Sequence, residues 1–364
     1  MNIFATIFTR FSCVHLTKDV GMIPMEVSQC NGFGKSLLIY RGEGIDNPYK
    51  DNINLIPVKA ISNISYYFKV FSIIIRNNVS HINLYHVSAE TFFLIVLFKL
   101  FTNKKIYLKL DMSSDWFGEL KHQTEYSKKK WAIKKKILSM VDLSSVETKS
   151  VYLGLRTIWP NERLIILPNA ISKLTIPDIV HPLKYKERDR TIIVVGRIGV
   201  HQKNHEMIID ALQISRLKND WKIKFIGPID DEFKCKIDVL KEHPDANSIE
   251  FLGNIDRHSL INIYRKSRFF LMSSRYEGFS LAMMEAAYFG NVIISTPVSG
   301  VDDITAEGKY GVIIPHDNVV ELSSLINTIT SDDAFFEKQH EEKLNYINSN
   351  FNLKVKIEEI INEI

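Results

Sequence analysis

The sequence has few cysteines, and their placement excludes two kinds of stabilising site. Cys13, Cys30 and Cys235 are the three cysteines among 364 residues. None belongs to a Cys-x-x-Cys pair and no histidine cluster accompanies them, which argues against a disulfide framework and a structural zinc site. An odd number of scattered thiols is typical of a reducing compartment, so we expect a cytoplasmic protein.

Long apolar runs and a large charge of one sign are also missing. The most apolar segment, residues 92–98, is too short to span a bilayer, so no transmembrane helix is expected. Residues 1–17 lack the basic start of a signal peptide, and Arg10 interrupts them. They predict a buried strand that runs into a loop at Asp19-Val20-Gly21. The formal net charge of +4 is too small to indicate a nucleic-acid partner by itself.

What the sequence does have is the composition of a folded protein with room for two domains. Hydrophobic residues make up 45% and charged residues 24%, which excludes a disordered chain, and 364 residues exceed one typical core. Short apolar runs alternate with helical patterns, which predicts parallel sheets covered by helices. The predicted strands cover residues 36–40, 53–57, 82–86, 106–110, 143–146 and 164–167, then 191–195, 223–226, 249–252, 269–272, 292–295 and 312–314.

A stretch without sustained periodicity separates the two sets of strands. Residues 172–190 carry Pro177, Pro182 and a charged run, which is typical of an interdomain linker. We therefore expect an α/β protein of two Rossmann-like doubly wound domains that face each other across a cleft. They would comprise residues 1–171 and 191–345, followed by a C-terminal helix in 346–364 that crosses back to the first domain. Ligands of such sheets bind at the carboxyl ends of the strands.

The densest signal for chemistry lies in residues 273–286, directly after a predicted strand. Glu277 precedes a predicted helix, and Glu285 lies about one turn inside it. Gly278 lets the start of the helix approach a ligand closely, and free N–H groups at a helix start bind anions such as a diphosphate. Glu285 is suited to ribose hydroxyls and Glu277 to sugar hydroxyls. Either acid alone is better explained as an ordinary residue, Glu277 in a loop and Glu285 on an exposed helix face; glycine, helix start and paired acids together favour the binding site. The predicted anion-binding N–H groups belong to Phe279, Ser280 and Leu281.

A second signal lies in residues 196–204, which also follow a predicted strand. Gly196 and Gly199 indicate a tight strand-to-helix turn, and Arg197 and Lys203 are six positions apart. Arg can bind two phosphate oxygens at once and Lys supplies a compact charge, so the pair suits a diphosphate. Taken alone, such a pair is more often solvated surface, but the acidic segment nearby favours the binding site.

Four motifs in this order resemble the GT-B glycosyltransferases of family 4, the glycosyl transferases group 1. The likeness covers essentially all of the second domain, and the Glu-x7-Glu segment is its most specific part. The motifs are Gly-Arg-Ile…Lys-Asn at 196–204, Phe-Ile-Gly at 225–227, Phe-Leu-Gly at 251–253 and Glu-Gly-Phe-Ser…Glu-Ala at 277–286.

This resemblance implies a retaining transfer of a sugar from a nucleotide-sugar donor, without a metal or other cofactor. It implies that Arg197 and Lys203 bind the diphosphate, that Glu285 binds the ribose, and that Glu277 acts on the transferred sugar. The paired acids Asp230-Asp231 and Asp302-Asp303 do not form a convincing metal motif. A saccharide or lipid-linked saccharide acceptor in cell-surface polysaccharide synthesis would fit.

The first domain matches the family more loosely. Gly21 is similar to the glycine of the first loop, which in the family faces the donor phosphates. Asp111 stands at the end of a predicted strand where many relatives carry a histidine near the sugar. Asp111 either orients the sugar or the acceptor, or caps the next helix together with Ser113. His86, at the end of the preceding strand, is a further candidate, although a lone histidine there is more often structural.

Residues 127–140 predict a basic amphipathic helix around Trp131. Such a helix either rests on an anionic membrane or packs its apolar face onto the sheet with its lysines in water, and both hold if the lysines alone touch lipid. The apolar face comprises Ile133, Ile137, Met140 and Val141. The basic residues are Lys128, Lys129, Lys130, Lys134, Lys135 and Lys136.

Two rival functions use the same architecture. A nucleotide-sugar epimerase would need no acceptor and would have no use for the basic helix. An inactive partner subunit would keep the fold but could lose the binding residues. All four of these are present in the second domain: Arg197, Lys203, Glu277 and Glu285. A nucleic-acid partner rests on the lysine cluster alone and is not expected.

Overall fold

The computed structural model describes residues 1–112, 125–159, 163–176, 181–218 and 220–364, and only the backbone of 125–130. The chain forms two compact units. The first unit comprises Met1–Pro177 and Asn352–Ile364, and the second comprises Asp178–Phe351. The division falls inside the predicted linker.

The sheet of the first unit is parallel throughout its described pairs and has seven strands. They are β1 (Phe4–Ile7), β2 (Ser36–Arg41), β3 (Ile53–Val58), β4 (His81–Tyr85), β5 (Lys105–Leu110), β6 (Leu143–Val146) and β7 (Leu164–Ile166). Their order is β3-β2-β1-β4-β5-β6-β7, so the direction of winding reverses between β1 and β4. This is the order of a Rossmann-type doubly wound sheet, as the sequence predicts.

Three helices of the first unit begin at hydroxyl side chains. Ser62, Ser88 and Thr148 each accept a hydrogen bond from the third N–H of the following helix, which satisfies one of its unpaired donors. The helices are α1 (Asp19–Val27), α2 (Asn63–Arg76), α3 (Ala89–Phe101), α4 (Glu125–Leu138) and α5 (Lys149–Ile158).

The loop predicted at Asp19-Val20-Gly21 is wrong, because these residues form the first turn of α1. A side chain on Gly21 would place its Cβ 2.4 Å from the carbonyl oxygen of Leu16. Glycine is therefore required there by close packing of the helix against the preceding turn. Glycine in a flexible loop and glycine at a close backbone contact look alike in a sequence.

Helix α4 shows which side chains of the basic segment pack onto the first unit and which remain exposed. Trp131, Ile137 and Met140 are partly buried against the core of the first unit, and Val141 is buried. Ile133, expected on the same apolar face, is instead 63% exposed. The packed interpretation is therefore confirmed for most of this face, while the side chains of Lys128, Lys129 and Lys130 lie outside the description.

The second unit repeats the doubly wound plan with six parallel strands. They are β8 (Asp189–Val195), β9 (Lys222–Ile226), β10 (Ile249–Gly253), β11 (Ser267–Met272), β12 (Val292–Ser295) and β13 (Gly311–Ile313). Their order is β10-β9-β8-β11-β12-β13, with the reversal between β8 and β11. The helices are α6 (His205–Gln213), α7 (Lys234–Asp238), α8 (Arg257–Lys266), α9 (Leu281–Tyr288), α10 (Val301–Thr305), α11 (Val319–Ser331), α12 (Ala334–Lys338) and α13 (His340–Asn350).

The C-terminal helix expected within residues 346–364 is present as the last helix of the chain and is preceded by another helix. Helix α13 ends before Phe351, and α14 (Leu353–Glu363) belongs to the first unit, where it packs against α1. Each of the twelve strands expected from apolar runs is present within two residues of its predicted bounds. Among the described helices, none combines the length and the apolar character needed to cross a bilayer.

Candidate functional site

The candidate site lies at the carboxyl ends of β8 and β11, where the winding of the second sheet reverses. The two strands are hydrogen-bonded neighbours, with Phe269 beside Ile192 and Phe270 beside Ile193. The loop after β8 begins at Gly196, and the loop after β11 begins at Ser273. Because parallel strands end at the same edge, both loops predicted to carry the chemistry lie side by side.

A buried ion pair joins these two loops. Lys203 Nζ donates to Glu277 Oε1 at 2.6 Å, and Ser274 Oγ donates to the same oxygen at 2.7 Å. The side chains of Lys203 and Glu277 are 17% and 9% exposed, so water screens their attraction weakly. The structure thus brings two predicted site residues into direct contact, and Ser274 is a partner that the sequence reading missed.

Further hydrogen bonds fix the two loops to each other. The Arg275 N–H donates to the carbonyl of Gln202 at 2.8 Å, and Arg275 Nη1 donates to the carbonyl of His201 at 2.7 Å. Ser273 Oγ lies 2.9 Å from the carbonyl oxygens of both Lys203 and Asn204. These contacts set the position of the Lys203 ammonium relative to β11. Ser273 and Arg275 come after a predicted strand, but nothing in the sequence shows that their side chains bond to the loop after β8.

Glycines let the loop after β8 lie directly on its neighbours. Gly227 has a φ of +132°, and a Cβ on it would lie 1.9 Å from the carbonyl oxygen of Gly196. Gly199 has a φ of +97°, and a Cβ there would lie 2.4 Å from Cβ of Phe233. The aliphatic part of Lys203 passes 3.5 Å from the Cβ position of Gly196. Backbone and cation are therefore close together, as binding of an anion requires.

His205 completes the turn after β8 as a neutral residue. Its Nδ1 accepts the Gly199 N–H at 3.2 Å. Burial, with the nearby charge of Lys203, lowers the pKa of His205 to about 4. Only an unprotonated ring nitrogen can accept this hydrogen bond. At neutral pH the His205 ring is therefore in the form that stabilises the turn.

The start of α9 provides the predicted helix terminus. Ser280 is the N-cap, and its hydroxyl accepts the Met283 N–H at 3.3 Å. Leu281 is the first residue of the helix. No hydrogen bond joins the N–H of Ser280 or Leu281 to another described residue, so these donors are available to an anion. Gly278 lies between Glu277 and the buried Phe279, just before this helix.

Glu285 is buried in α9 and paired with Arg257, the first residue of α8. The distance from Arg257 Nη1 to Glu285 Oε1 is 2.6 Å, and the Glu285 side chain is 10% exposed. Burial raises the pKa of Glu285, and the Arg257 guanidinium opposes that shift. Glu285 lies one turn inside the helix as predicted, but it is no ordinary surface acid. Arg257 comes after β10 in the sequence and carries no motif that would have indicated its role.

Arg197 differs from the other predicted residues of this site. It follows Gly196 directly and is exposed. Within the described residues, no hydrogen bond or ion pair engages its guanidinium, whereas Lys203 and Glu285 both have partners. Arg197 is therefore an exposed cation in the loop after β8, and all of its guanidinium N–H groups are available to a ligand.

The corresponding edge of the first sheet carries the remaining candidates. Asp111 follows β5 and His86 follows β4, and their side chains, about half exposed, approach to 3.9 Å between Nδ1 and Oδ2. His86 has a φ of +60°, a left-handed conformation that is uncommon for a residue with a side chain. Ser113, the alternative capping partner of Asp111, lies outside the described residues.

A cavity of about 360 Å³ opens at the winding reversal of the first sheet, between the ends of β1 and β4. The Thr9 hydroxyl donates to the Glu90 carboxylate in its wall. The cavity combines apolar and polar walls, which is typical of small-molecule sites. Its lining includes Ile7, Phe8, Leu84 and Leu94, and the polar residues Thr9, Arg10, His86 and Glu90.

A buried charge network lies next to this edge and was not predicted from the sequence. Lys109 Nζ lies 2.5 Å from Glu147 Oε1, 3.2 Å from Asp19 Oδ2 and 3.2 Å from Asn169 Oδ1. Burial disfavours the charge on Lys109, but the two carboxylates outweigh it and raise its pKa. The network ties α1 to the ends of β5, β6 and β7. Lys109 lies within an apolar run that predicts a strand, so its partners were not apparent.

The fold and the site together define the class of protein. Two doubly wound units, with a cationic site at the strand reversal of the second, make up the GT-B architecture of glycosyltransferases. The chain superposes over 100% of its length on 99% of sucrose-phosphate synthase from Thermosynechococcus elongatus, with a TM-score of 0.74 and 15% identity. That similarity shows the shared fold.

The second unit carries the match to a known family. The model of the glycosyl transferases group 1 matches residues 176–349. An uncharacterized glycosyltransferase of Methanocaldococcus jannaschii is 26% identical over 164 residues, which are 45% of this chain and 43% of the relative. N-acetylgalactosamine-N,N'-diacetylbacillosaminyl-diphospho-undecaprenol 4-alpha-N-acetylgalactosaminyltransferase from Campylobacter jejuni is 27% identical over 149 residues, 40% of this chain and 39% of the relative. The aligned segment thus spans about two fifths of these relatives.

Proposed function

We propose that this protein is a retaining, metal-independent glycosyltransferase. It moves a sugar from a nucleotide-sugar donor to a saccharide or lipid-linked saccharide, in the synthesis of a cell-surface polysaccharide. The bond from the anomeric carbon to the β-phosphate oxygen breaks, and a bond to an acceptor hydroxyl oxygen forms. The hydroxyl proton passes to the departing phosphate oxygen, and a nucleoside diphosphate leaves. The observation that carries this proposal is the convergence of the loop after β8 and the start of α9 at one strand reversal.

The donor roles follow from the chemistry of the site. Arg197 and Lys203 would neutralise the charge that develops on the leaving diphosphate, which is the main electrostatic demand of the reaction. The N–H groups at the start of α9 would bind phosphate oxygens. Glu285 would accept hydrogen bonds from the ribose hydroxyls, with Arg257 orienting its carboxylate. Glu277 would bind the transferred sugar, with Ser274 and Lys203 fixing the position of its carboxylate.

The acceptor is proposed to bind the first unit. Asp111 would orient the sugar or the acceptor hydroxyl, and the cavity beside His86 would receive a saccharide unit. Phe8 contributes apolar surface to the lining of this cavity, and the Glu90 carboxylate can accept sugar hydroxyls. The name of the relative from Campylobacter jejuni includes a diphospho-undecaprenol, which supports a lipid-linked acceptor for this chain.

A lipid-linked acceptor would place the protein on the inner face of the cytoplasmic membrane. The exposed Lys134 and Lys136 of α4 are available to anionic lipid headgroups. Lys135 instead donates to the carbonyl of Ile158 at 3.2 Å. The membrane role proposed for this helix therefore rests on lysines, while its apolar face serves the core.

The donor site can be tested by thermal unfolding with UDP, GDP, ADP, CMP and their sugar conjugates. A nucleotide at about a hundred times its Kd should stabilise the protein by roughly 2.7 kcal/mol. Arg197→Ala should abolish the shift. Lys266→Ala is the matched control, because Lys266 is an exposed cation at the opposite end of β11. A shift that survives Arg197→Ala would refute the phosphate role, and no shift with any nucleotide would refute the donor site.

A further inference from the structure

Helix α2 is apolar on the face that it turns away from the core. Its inner face, Tyr66, Val70 and Ile74, is buried against the sheet. On the outer face, Ile64 is 66% exposed and Phe68 is 63% exposed. A surface helix usually carries polar residues there, so this arrangement is not explained by packing within the unit.

Helix α3 extends the same apolar surface. Phe93, Leu100 and Phe101 are 44%, 67% and 69% exposed. The two helices are in contact, since the rings of Tyr67 and Phe93 lie 5.0 Å apart. We call this the α2–α3 surface, formed by Ile64, Phe68, Ile75, Phe93, Leu100 and Phe101. Clustered large apolar side chains of this kind mark an interaction surface, whereas single ones do not.

The exposed charged side chains described on α2 and α4 are all positive. Lys69 and Arg76 are the charged residues of α2, and both are exposed. The only acid of α3 is Glu90, whose carboxylate is engaged by Thr9. Helix α4, which packs against α3, contributes the exposed Lys134 and Lys136. Apolar side chains bordered by cations are the pattern of a surface that binds anionic lipid.

We propose that the α2–α3 surface docks on an anionic lipid bilayer. The aromatic and aliphatic side chains would enter the headgroup region, and the flanking cations would meet lipid phosphates. A second copy of the chain fits less well, because a two-fold interface would bring the same cations face to face. The inference adds a lipid-contacting surface to the proposed membrane association, and it does not depend on sugar transfer.

Vesicle flotation of the full chain tests this proposal. Vesicles of equal parts phosphatidylcholine and phosphatidylglycerol should bind the protein, and vesicles of phosphatidylcholine alone should bind it weakly. Replacing Phe68, Leu100 and Phe101 by Ser should lower affinity for the anionic vesicles about tenfold or more. The matched control replaces Val320 and Phe335 of the second unit, which are 72% and 62% exposed, by Ser. This control should bind like the parent protein.

A second measurement reports the orientation directly. Leu100→Trp should be quenched by brominated lipid in anionic vesicles, and Phe335→Trp should not. Equal quenching at both positions would overturn the proposal, as would unchanged flotation of the Ser variant. It would also be overturned if gel filtration showed a dimer that the Ser variant abolishes, because the occupant would then be a second copy.

The nucleotide-induced thermal shift separates this inference from the proposed function. It reports the donor site of the second unit and needs no membrane. A Ser variant that keeps the nucleotide shift and loses vesicle binding supports the lipid surface. Vesicle binding without any nucleotide shift would leave the lipid surface standing and refute the donor site.

Discussion

Gly227→Ala is expected to disrupt the candidate donor site through the backbone alone. Gly227 has a φ of +132°, and its new Cβ would lie 1.9 Å from the Gly196 carbonyl oxygen, although such contacts stay beyond 3.0 Å in real proteins. The Gly196 carbonyl would have to move by about 1 Å, against the hydrogen bonds that Gly196 and Gly227 donate to the carbonyls of Ile226 and Gly253. We expect a loss of about 3–5 kcal/mol in the free energy of unfolding.

Gly253→Ala is the matched control for this prediction. Gly253 has a φ of +62°, and its Cβ would meet nothing within 4 Å, so only the left-handed backbone adds a cost of about 1–2 kcal/mol. Urea unfolding measures both variants, and hydrogen exchange of residues 191–204 localises the change. Because Arg197 follows Gly196, nucleoside diphosphate affinity should fall about tenfold or more in Gly227→Ala alone. If Gly227→Ala were no less stable than Gly253→Ala, the close approach described here would be refuted.

Three further predictions concern side chains of the same unit. Lys203→Gln should cost about 1–3 kcal/mol by leaving Glu277 buried without its cation, and adding Glu277→Gln should restore stability in urea unfolding but not nucleotide binding. The pKa of His205 is lowered to about 4 from 6.5, so the unfolded state binds the proton first. His205 should therefore contribute a fall of about 3 kcal/mol in the free energy of unfolding from pH 6.5 to pH 4. His205→Asn should remove that contribution and leave the one from His340, whose pKa burial also lowers to about 4. Arg257→Ala should destabilise the protein by about 1–3 kcal/mol by leaving the buried Glu285 without its cation, and Glu285→Gln added to it should recover most of that loss. Additive effects of the two changes would refute the coupling.

The sequence predicts most of the fold because the central strands of both sheets are buried on both faces. Strands such as β2 and β12 therefore appear as continuous apolar runs, Leu37–Tyr40 and Val292–Ile294. The helix at Asp19 was missed because Gly21 and Pro24 lie inside it, and both residues usually mark loops. Tertiary packing against Leu16 overrides that local preference.

The site was predictable where it follows strands and unpredictable where it depends on distant partners. Glu277 and Lys203 lie on loops after neighbouring strands, so a strand pattern suffices to bring them together. Arg257 reaches Glu285 from the start of another helix, and Lys109 is buried with three partners from separate elements. Such contacts are set by side-chain reach in three dimensions, which sequence spacing does not report.

The two strand reversals share one topology but differ in what fills the edge of the sheet. After β8, Gly196 has no side chain to cover the backbone. Lys203 and the start of α9 add positive charge, so an anion can approach the backbone closely. After β1, the chain continues as Phe8-Thr9-Arg10, and side chains line a cavity instead. A bare, cationic edge suits a diphosphate, and a cavity with apolar walls and hydroxyl-binding groups suits a sugar. The difference between the two edges therefore favours donor binding by the second unit and acceptor binding by the first.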